Sequence, residues 1–144
     1  MVGVYGISAV TLMIKKMRRS CNFYSQIPGF KLVYGGSSNG SFATYKIGED
    51  DPPTYLNLEL IADTTDSNHN HHFDKRHFGR IIFHTDNVDK LYTNFKGNTE
   101  ISNAILFENE PKDAPWGERY FHMREPDGYQ LSFAEVIKQR KKDR

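Results

Sequence analysis

Apolar positions along this chain fall into two rhythms. Residues 7–14 alternate between two sets, Ile7, Ala9, Thr11 and Met13 against Ser8, Val10, Leu12 and Ile14, which is the period of a strand. From Lys16 the spacing changes. Met17, Ser20 and Cys21, Phe23 and Tyr24, and Ile27 follow the 3.6-residue period of a helix, with Arg18 and Arg19 on its wet side. Pro28-Gly29 stops it. Residues 30–34 then read as a short strand, 35–40 as a turn rich in Gly, Ser and Asn, 41–47 as an alternating strand, 48–53 as an acidic turn and 54–61 as a fourth strand. The first half is β-α-β-β-β.

Residues 62–77 carry no apolar period and one aromatic, Phe73, so they read as a linker. The rhythms then return in the same order. Residues 79–85 form a strand, and Asp86-Asn87 caps a helix whose stripe is Val88, Leu91, Tyr92 and Phe95. Gly97-Asn98 ends that helix, residues 101–107 read as a strand and residues 108–117 as a loop. The closing hairpin is the sharpest local signal. An aromatic-rich strand over 119–124 meets the turn Glu125-Pro126-Asp127-Gly128 and an alternating strand over 129–133. Pro at the second turn position pre-sets φ, and Gly at the fourth supplies the positive φ of a bulged reversal.

The two halves therefore form an internal repeat. Val10-Thr11-Leu12 falls on Ile81-Ile82-Phe83, Met17 on Val88 and Tyr24 on Phe95, matching in burial pattern and poorly in identity. Two small sheets, each with one helix on its outer face, leave two inner faces to cover. Set side by side, they predict one curved eight-stranded sheet around a cavity.

Composition narrows the function classes. A chain of 144 residues fits one domain or two small halves sharing a core. With 38% apolar and 13% aromatic residues, the core is expected to be small and built from Phe and Tyr. A net charge of +1 gives no reason to expect nucleic acid or an acidic membrane as partner, and the basic run at 138–144 reads as a solvated end. Cys21 is the only cysteine, which excludes an internal disulfide, a thiolate zinc knuckle and a CxxC pair. The apolar start lacks preceding positive charge and is interrupted by Gly3, Gly6, Ser8 and Thr11, so it reads as a strand and the cytoplasm is the expected location.

The element order, with PWGERYFHMREPDGYQLSF near the end and GRIIFHTDNVDKLY opening the second half, resembles the vicinal oxygen chelate superfamily: glyoxalase I, bleomycin-resistance proteins, fosfomycin-resistance enzymes, extradiol dioxygenases and methylmalonyl-CoA epimerase. The resemblance covers essentially the whole chain. It implies an α+β fold of two βαβββ modules making one cupped eight-stranded mixed sheet with helices outside. Module 1 would span residues 5–61, the linker 62–77 and module 2 78–137 of a single domain. It also implies a homodimer and a small-molecule ligand, but it does not fix the reaction, because this fold serves several chemistries and simple binding.

In metal-using members of that superfamily a divalent cation is held by a His or Gln early in the first strand of each module and a Glu on the last. Matching those motifs places the four positions on Ala9, Glu59, Arg80 and Ser132. Only Glu59 is a competent ligand. Alanine has no donor, a guanidinium does not deprotonate and a serine hydroxyl binds weakly. A divalent cation beside an arginine adds several kcal/mol of repulsion even at an effective dielectric of about 20. No metal and no other cofactor is expected at the usual position.

Arg80 and Glu59 are both expected to point inward. The guanidinium would stand where the cation would have been, pairing with Glu59 as a structural bridge or attracting an anionic ligand. Tyr120 and His122 share one face of their strand, and in related enzymes side chains at these places line the cup. They are the candidates for a catalytic role, His122 moving a proton and Tyr120 donating to an oxyanion, or else a satisfied polar wall. Trp116 is either a lid or a staple for its loop. Asn57, Thr11 and Gln130 add uncharged hydrogen-bonding groups, and His84 is expected nearer the rim. Glu59, His84 and His122 would be the ligands of any unorthodox metal site. His69, His71, His72 and His77 form a His-rich linker, read as solvated.

Two functions follow, a metal-free binding protein of the bleomycin-resistance type acting through Arg80, Trp116, Tyr120 and His122, and a glyoxalase-type lyase or isomerase or a dioxygenase with altered metal ligands. Ser132, Glu59, Asn57 and His84 complete the candidate ligand-binding set.

Overall fold

The structure is a computed structural model that describes residues 2–61 and 79–137. The chain divides into two compact units, Met1–Asp66 and Ser67–Arg144. The His-rich linker and the basic C-terminal run lie outside the described residues. Among the described residues there are nine strands in two mixed sheets and three helices.

In the first unit the order is β1 Ala9–Ile14, α1 Met17–Tyr24, β2 Phe30–Gly35, β3 Phe42–Ile47 and β4 Thr54–Leu60. The sheet order is β1-β4-β3-β2, so α1 carries the chain from one sheet edge to the other and β2 to β4 return as a meander. That return makes β1 and β4 parallel, while β2/β3 and β3/β4 are antiparallel. The alternation of the sequence sorts the faces. Leu12, Ile14, Ala43, Tyr45, Leu56 and Leu58 are buried together with Met17, Phe23, Tyr24 and Ile27 from the helix and the residues following it. Tyr45 places its hydroxyl 2.8 Å from Ser25 Oγ and donates to Cys21 O at 3.3 Å. Burial, before those bonds, pushes its ionisation far above the ordinary tyrosine value.

The second unit repeats the plan with additions: β5 Arg80–His84, α2 Val88–Gly97, α3 Thr99–Ala104, β6 Leu106–Phe107, β7 Lys112–Asp113, β8 Glu118–Arg124 and β9 Gln130–Val136. The order is β5-β9-β8-β6, with β7 paired to β8, β5/β9 parallel and β8/β9 antiparallel. Its core is aromatic, as the composition implied. Phe95, Phe121 and Phe133 are buried and touch edge-to-face or tilted, at ring separations of 5.5–6.1 Å. Asn87 caps α2 by accepting from Lys90 N, and Glu135 Oε1 accepts from Val88 N at 2.9 Å, so two strand-side groups satisfy the helix start.

Two expectations are corrected. Residues 101–107 were expected as a strand, but residues Thr99–Ala104 form α3 and only Leu106–Phe107 pair with β8. The cause is Asn98, whose side chain accepts from Glu100 N and Ile101 N and so starts a new helical turn where it was read as an ending. The loop over 108–117 also contains a strand, β7, paired through Lys112 to Tyr120 and Asp113 to Arg119. The hairpin between β8 and β9 is as expected. Gly128 has φ +93°, its N–H donates to Glu125 O at 2.8 Å, and the buried Glu125 carboxylate accepts from the amides of Asp127 and Tyr129.

Candidate functional site on the open face of the second sheet

Strand alternation gives the second sheet one face against the helices and one face turned away from them. Phe121, Met123, Leu131 and Phe133 are on the helix side; the away face carries Tyr120, His122 and Arg124 of β8, Gln130, Ser132 and Ala134 of β9, and Arg80, Ile82 and His84 of β5. The register sets Arg80 opposite Gln130, Ile82 opposite Ser132, and Ser132 opposite His122. Three adjacent strands therefore bring Arg80, Ser132 and His122 together.

The contacts are short and directional. Arg80 Nη1 donates to Ser132 Oγ at 3.0 Å and to Leu131 O at 3.3 Å. Ser132 Oγ lies 2.6 Å from His122 Nδ1. The other guanidinium nitrogen of Arg80 reaches Glu108 Oε1 at 3.4 Å, and Arg124 Nε donates to Glu108 Oε2 at 2.9 Å. Glu108 is thus held between two guanidinium groups. Asn109 Oδ1 accepts from His122 N, fixing the backbone beneath the ring. Burial first, then the positive charges of Arg80 and Lys112, push the His122 imidazole below its ordinary value, with Glu108 opposing them. Ser132 is buried, whereas Arg80 and His122 are partly open.

Beside this polar chain lies an aromatic run. Trp116 is 69% exposed and lies nearly parallel to Tyr120, with ring centres 6.3 Å apart and planes 21° from each other. Tyr120 and His122 follow at 4.7 Å, and Lys112 Nζ lies 6.0 Å from the Tyr120 ring. Trp116 Nε1 donates to Glu118 Oε1 at 2.9 Å, which steadies the indole without burying it. The exposed indole lies alongside the Tyr120 ring.

The remaining predicted residues are placed within their own units. His84 ends β5, exposed. Asn57 lies on the corresponding face of the first sheet, accepting from Thr44 Oγ1 at 2.8 Å and donating to Thr11 Oγ1 at 3.2 Å. Glu59 is exposed on the same strand, and Ala9 opens β1, also exposed. The registers allow the two units to be compared position by position. Counting from the helix caps, Lys16 and Asn87, the β1/β4 and β5/β9 ladders make Asn57 the counterpart of Ser132, while Glu59 falls two residues further on and corresponds to Ala134. Arg80, expected to pair with Glu59, finds a carboxylate in Glu108 of its own unit. Glu108, Asn109, Lys112 and Arg124 were missed. They act through β6/β8 and β7/β8 pairing, which the short strands did not announce in sequence.

Among the described residues, no three His, Cys, Asp or Glu side chains gather as a metal-holding group. No helix among them is long and apolar enough to cross a membrane.

Residues 6–133 match the family described as the Glyoxalase/Bleomycin resistance protein/Dioxygenase superfamily. No curated protein matches the sequence. Solved structures share the fold at low identity. TioX from Micromonospora sp. ML1 is 18% identical with a TM-score of 0.62, covering 92% of this chain and 100% of its own. A lactoylglutathione lyase from Agrobacterium tumefaciens is 20% identical with a TM-score of 0.62, covering 90% and 92%. A glyoxalase-related enzyme from Fulvimarina pelagi is 15% identical with a TM-score of 0.65, covering 92% and 88%.

Proposed function

The chain belongs to the Glyoxalase/Bleomycin resistance protein/Dioxygenase superfamily, and from that premise we propose that it binds a small anionic or aromatic molecule on the open face of its second sheet, without a metal ion at the superfamily's usual position. The observation that carries the reading is the 3.0 Å bond from Arg80 Nη1 to Ser132 Oγ. These are the two positions that the resemblance assigns to metal ligands in this module. One is a permanent cation and the other is its hydrogen-bond acceptor, so this donor set does not fit a divalent ion. A fixed guanidinium beside Ser132 and His122 instead suits a carboxylate or another anion, and the Trp116-Tyr120 platform suits a planar ring.

On the same premise the chain is read as one domain of two modules that assembles as a homodimer. Sedimentation checks the assembly. Native mass spectrometry of freshly purified protein checks the ligand. A co-purifying molecule retained after chelator treatment and lost in Arg80→Gln supports the reading, whereas an activity that vanishes with chelator and returns with a divalent metal would replace it with a glyoxalase-type lyase or isomerase or a dioxygenase.

A further inference from the structure

The hydrogen atoms of the Arg80-Ser132-His122 chain can be assigned from donor and acceptor chemistry. Arg80 only donates, so Ser132 Oγ accepts from it at 3.0 Å. The 2.6 Å contact between Ser132 Oγ and His122 Nδ1 has two possible directions. If Nδ1–H donated, the hydroxyl proton of Ser132, a residue only 1% exposed, would be left without an acceptor among the described contacts. If the hydroxyl donates to Nδ1, the Ser132 hydroxyl both accepts from Arg80 and donates to His122, and its proton has an acceptor. The proton of the ring then sits on Nε2, which makes no hydrogen bond within its unit among the described residues.

We propose that Ser132 and Arg80 are positioning residues that hold His122 as the Nε2–H tautomer, so that the ring presents a hydrogen-bond donor, not a base, to an acceptor atom of an aromatic molecule stacked along Trp116 and Tyr120. The ligand part of this proposal rests on the binding function above; the tautomer does not. The groups facing the ring agree with the assignment. Arg80 from β5 and Lys112 from β7 oppose a second proton, Glu108 after β6 favours it but is shared between Arg80 and Arg124, and the Tyr120 ring lies 4.7 Å away. Asn109 holds the backbone amide of His122 and Ser132 holds the ring at Nδ1, so main chain and ring are each held at one point and Nε2 has a set direction. A site built this way favours ligands with a carbonyl, carboxylate or ring-nitrogen acceptor over isosteres with a donor there.

The test is long-range 1H–15N NMR of the imidazole in the full chain, with no ligand present. The expected spectrum of the wild-type protein shows His122 Nδ1 as a pyridine-type nitrogen and Nε2 as a pyrrole-type one. Ser132→Ala is expected to give averaged shifts, and Ser132→Thr, which keeps a hydroxyl, to restore the split. A protonated Nδ1 in the wild type, or an unchanged split in Ser132→Ala with the rest of the spectrum intact, overturns the assignment. Addition of naphthalene-2-carboxylate is expected to shift His122 Nε2–H together with the Trp116 indole signal. If the tautomer is as assigned but neither signal moves, the positioning role stands and the binding function fails.

Discussion

The two modules carry the same row of positions on their helix-free faces and fill it differently. In the first, Thr11, Asn57 and Thr44 lie side by side on β1, β4 and β3 and bond to one another through neutral groups. In the second, Ile82, Ser132 and His122 occupy the matching places on β5, β9 and β8, and Arg80 reaches across from the same strand as Ile82 to complete the chain. A neutral ladder closes on itself. The second carries a half-buried guanidinium, an imidazole and an exposed indole, which is why the candidate site is assigned to the second module although the two share a backbone plan.

The largest effect tests whether the modules are equivalent in their cores. Tyr24 and Phe95 are buried at matching helix positions, so Tyr24→Ala and Phe95→Ala are each expected to cost about 3–5 kcal/mol. Urea unfolding checks this, and a cost near zero at either position breaks the equivalence. The next effect separates the faces. Arg80→Gln is expected to weaken binding of naphthalene-2-carboxylate by about tenfold or more, roughly 1.4 kcal/mol, whereas Thr44→Val in the neutral ladder leaves that affinity unchanged. Calorimetric titration reads both.

Thr44→Val has its own smaller consequence. It leaves one acceptor lone pair of Asn57 without the hydroxyl that serves it, and a cost of about 1 kcal/mol in unfolding free energy is expected. The smallest effect concerns pH. The His122 imidazole titrates below its ordinary value of 6.5 in the folded chain, so as pH falls past that value the unfolded chain takes up a proton that the folded chain refuses. Stability therefore falls with pH below about 6.5 and levels off beneath the lowered value. His122→Gln is expected to flatten that part of the curve.

Much of the fold was legible because it rests on periodicity. The switch from two-residue to 3.6-residue spacing marked both modules, Tyr24 and Phe95 are both buried as paired, and Glu125-Pro126-Asp127-Gly128 fixed the hairpin. The misread segment over 101–107 failed for a physical reason: an apolar run around Ile101 and Ile105 fits a strand or a helix, and a single side-chain cap at Asn98 decided between them. The site was half legible. Alternation placed Tyr120 and His122 on one face, whereas the contact of Arg80 with Ser132 came only from the structure. Alternation did not reveal Glu108, Asn109 or Arg124, because two-residue strands leave no period.

Under the proposed function, Arg80 stands in place of a metal ligand. Elemental analysis of protein purified without chelator and then dialysed tests it most directly. Zinc, nickel, manganese and iron are expected far below stoichiometric levels in the wild type. Stoichiometric metal that survives dialysis and is lost on substitution of Glu59, His84 or His122 would contradict it.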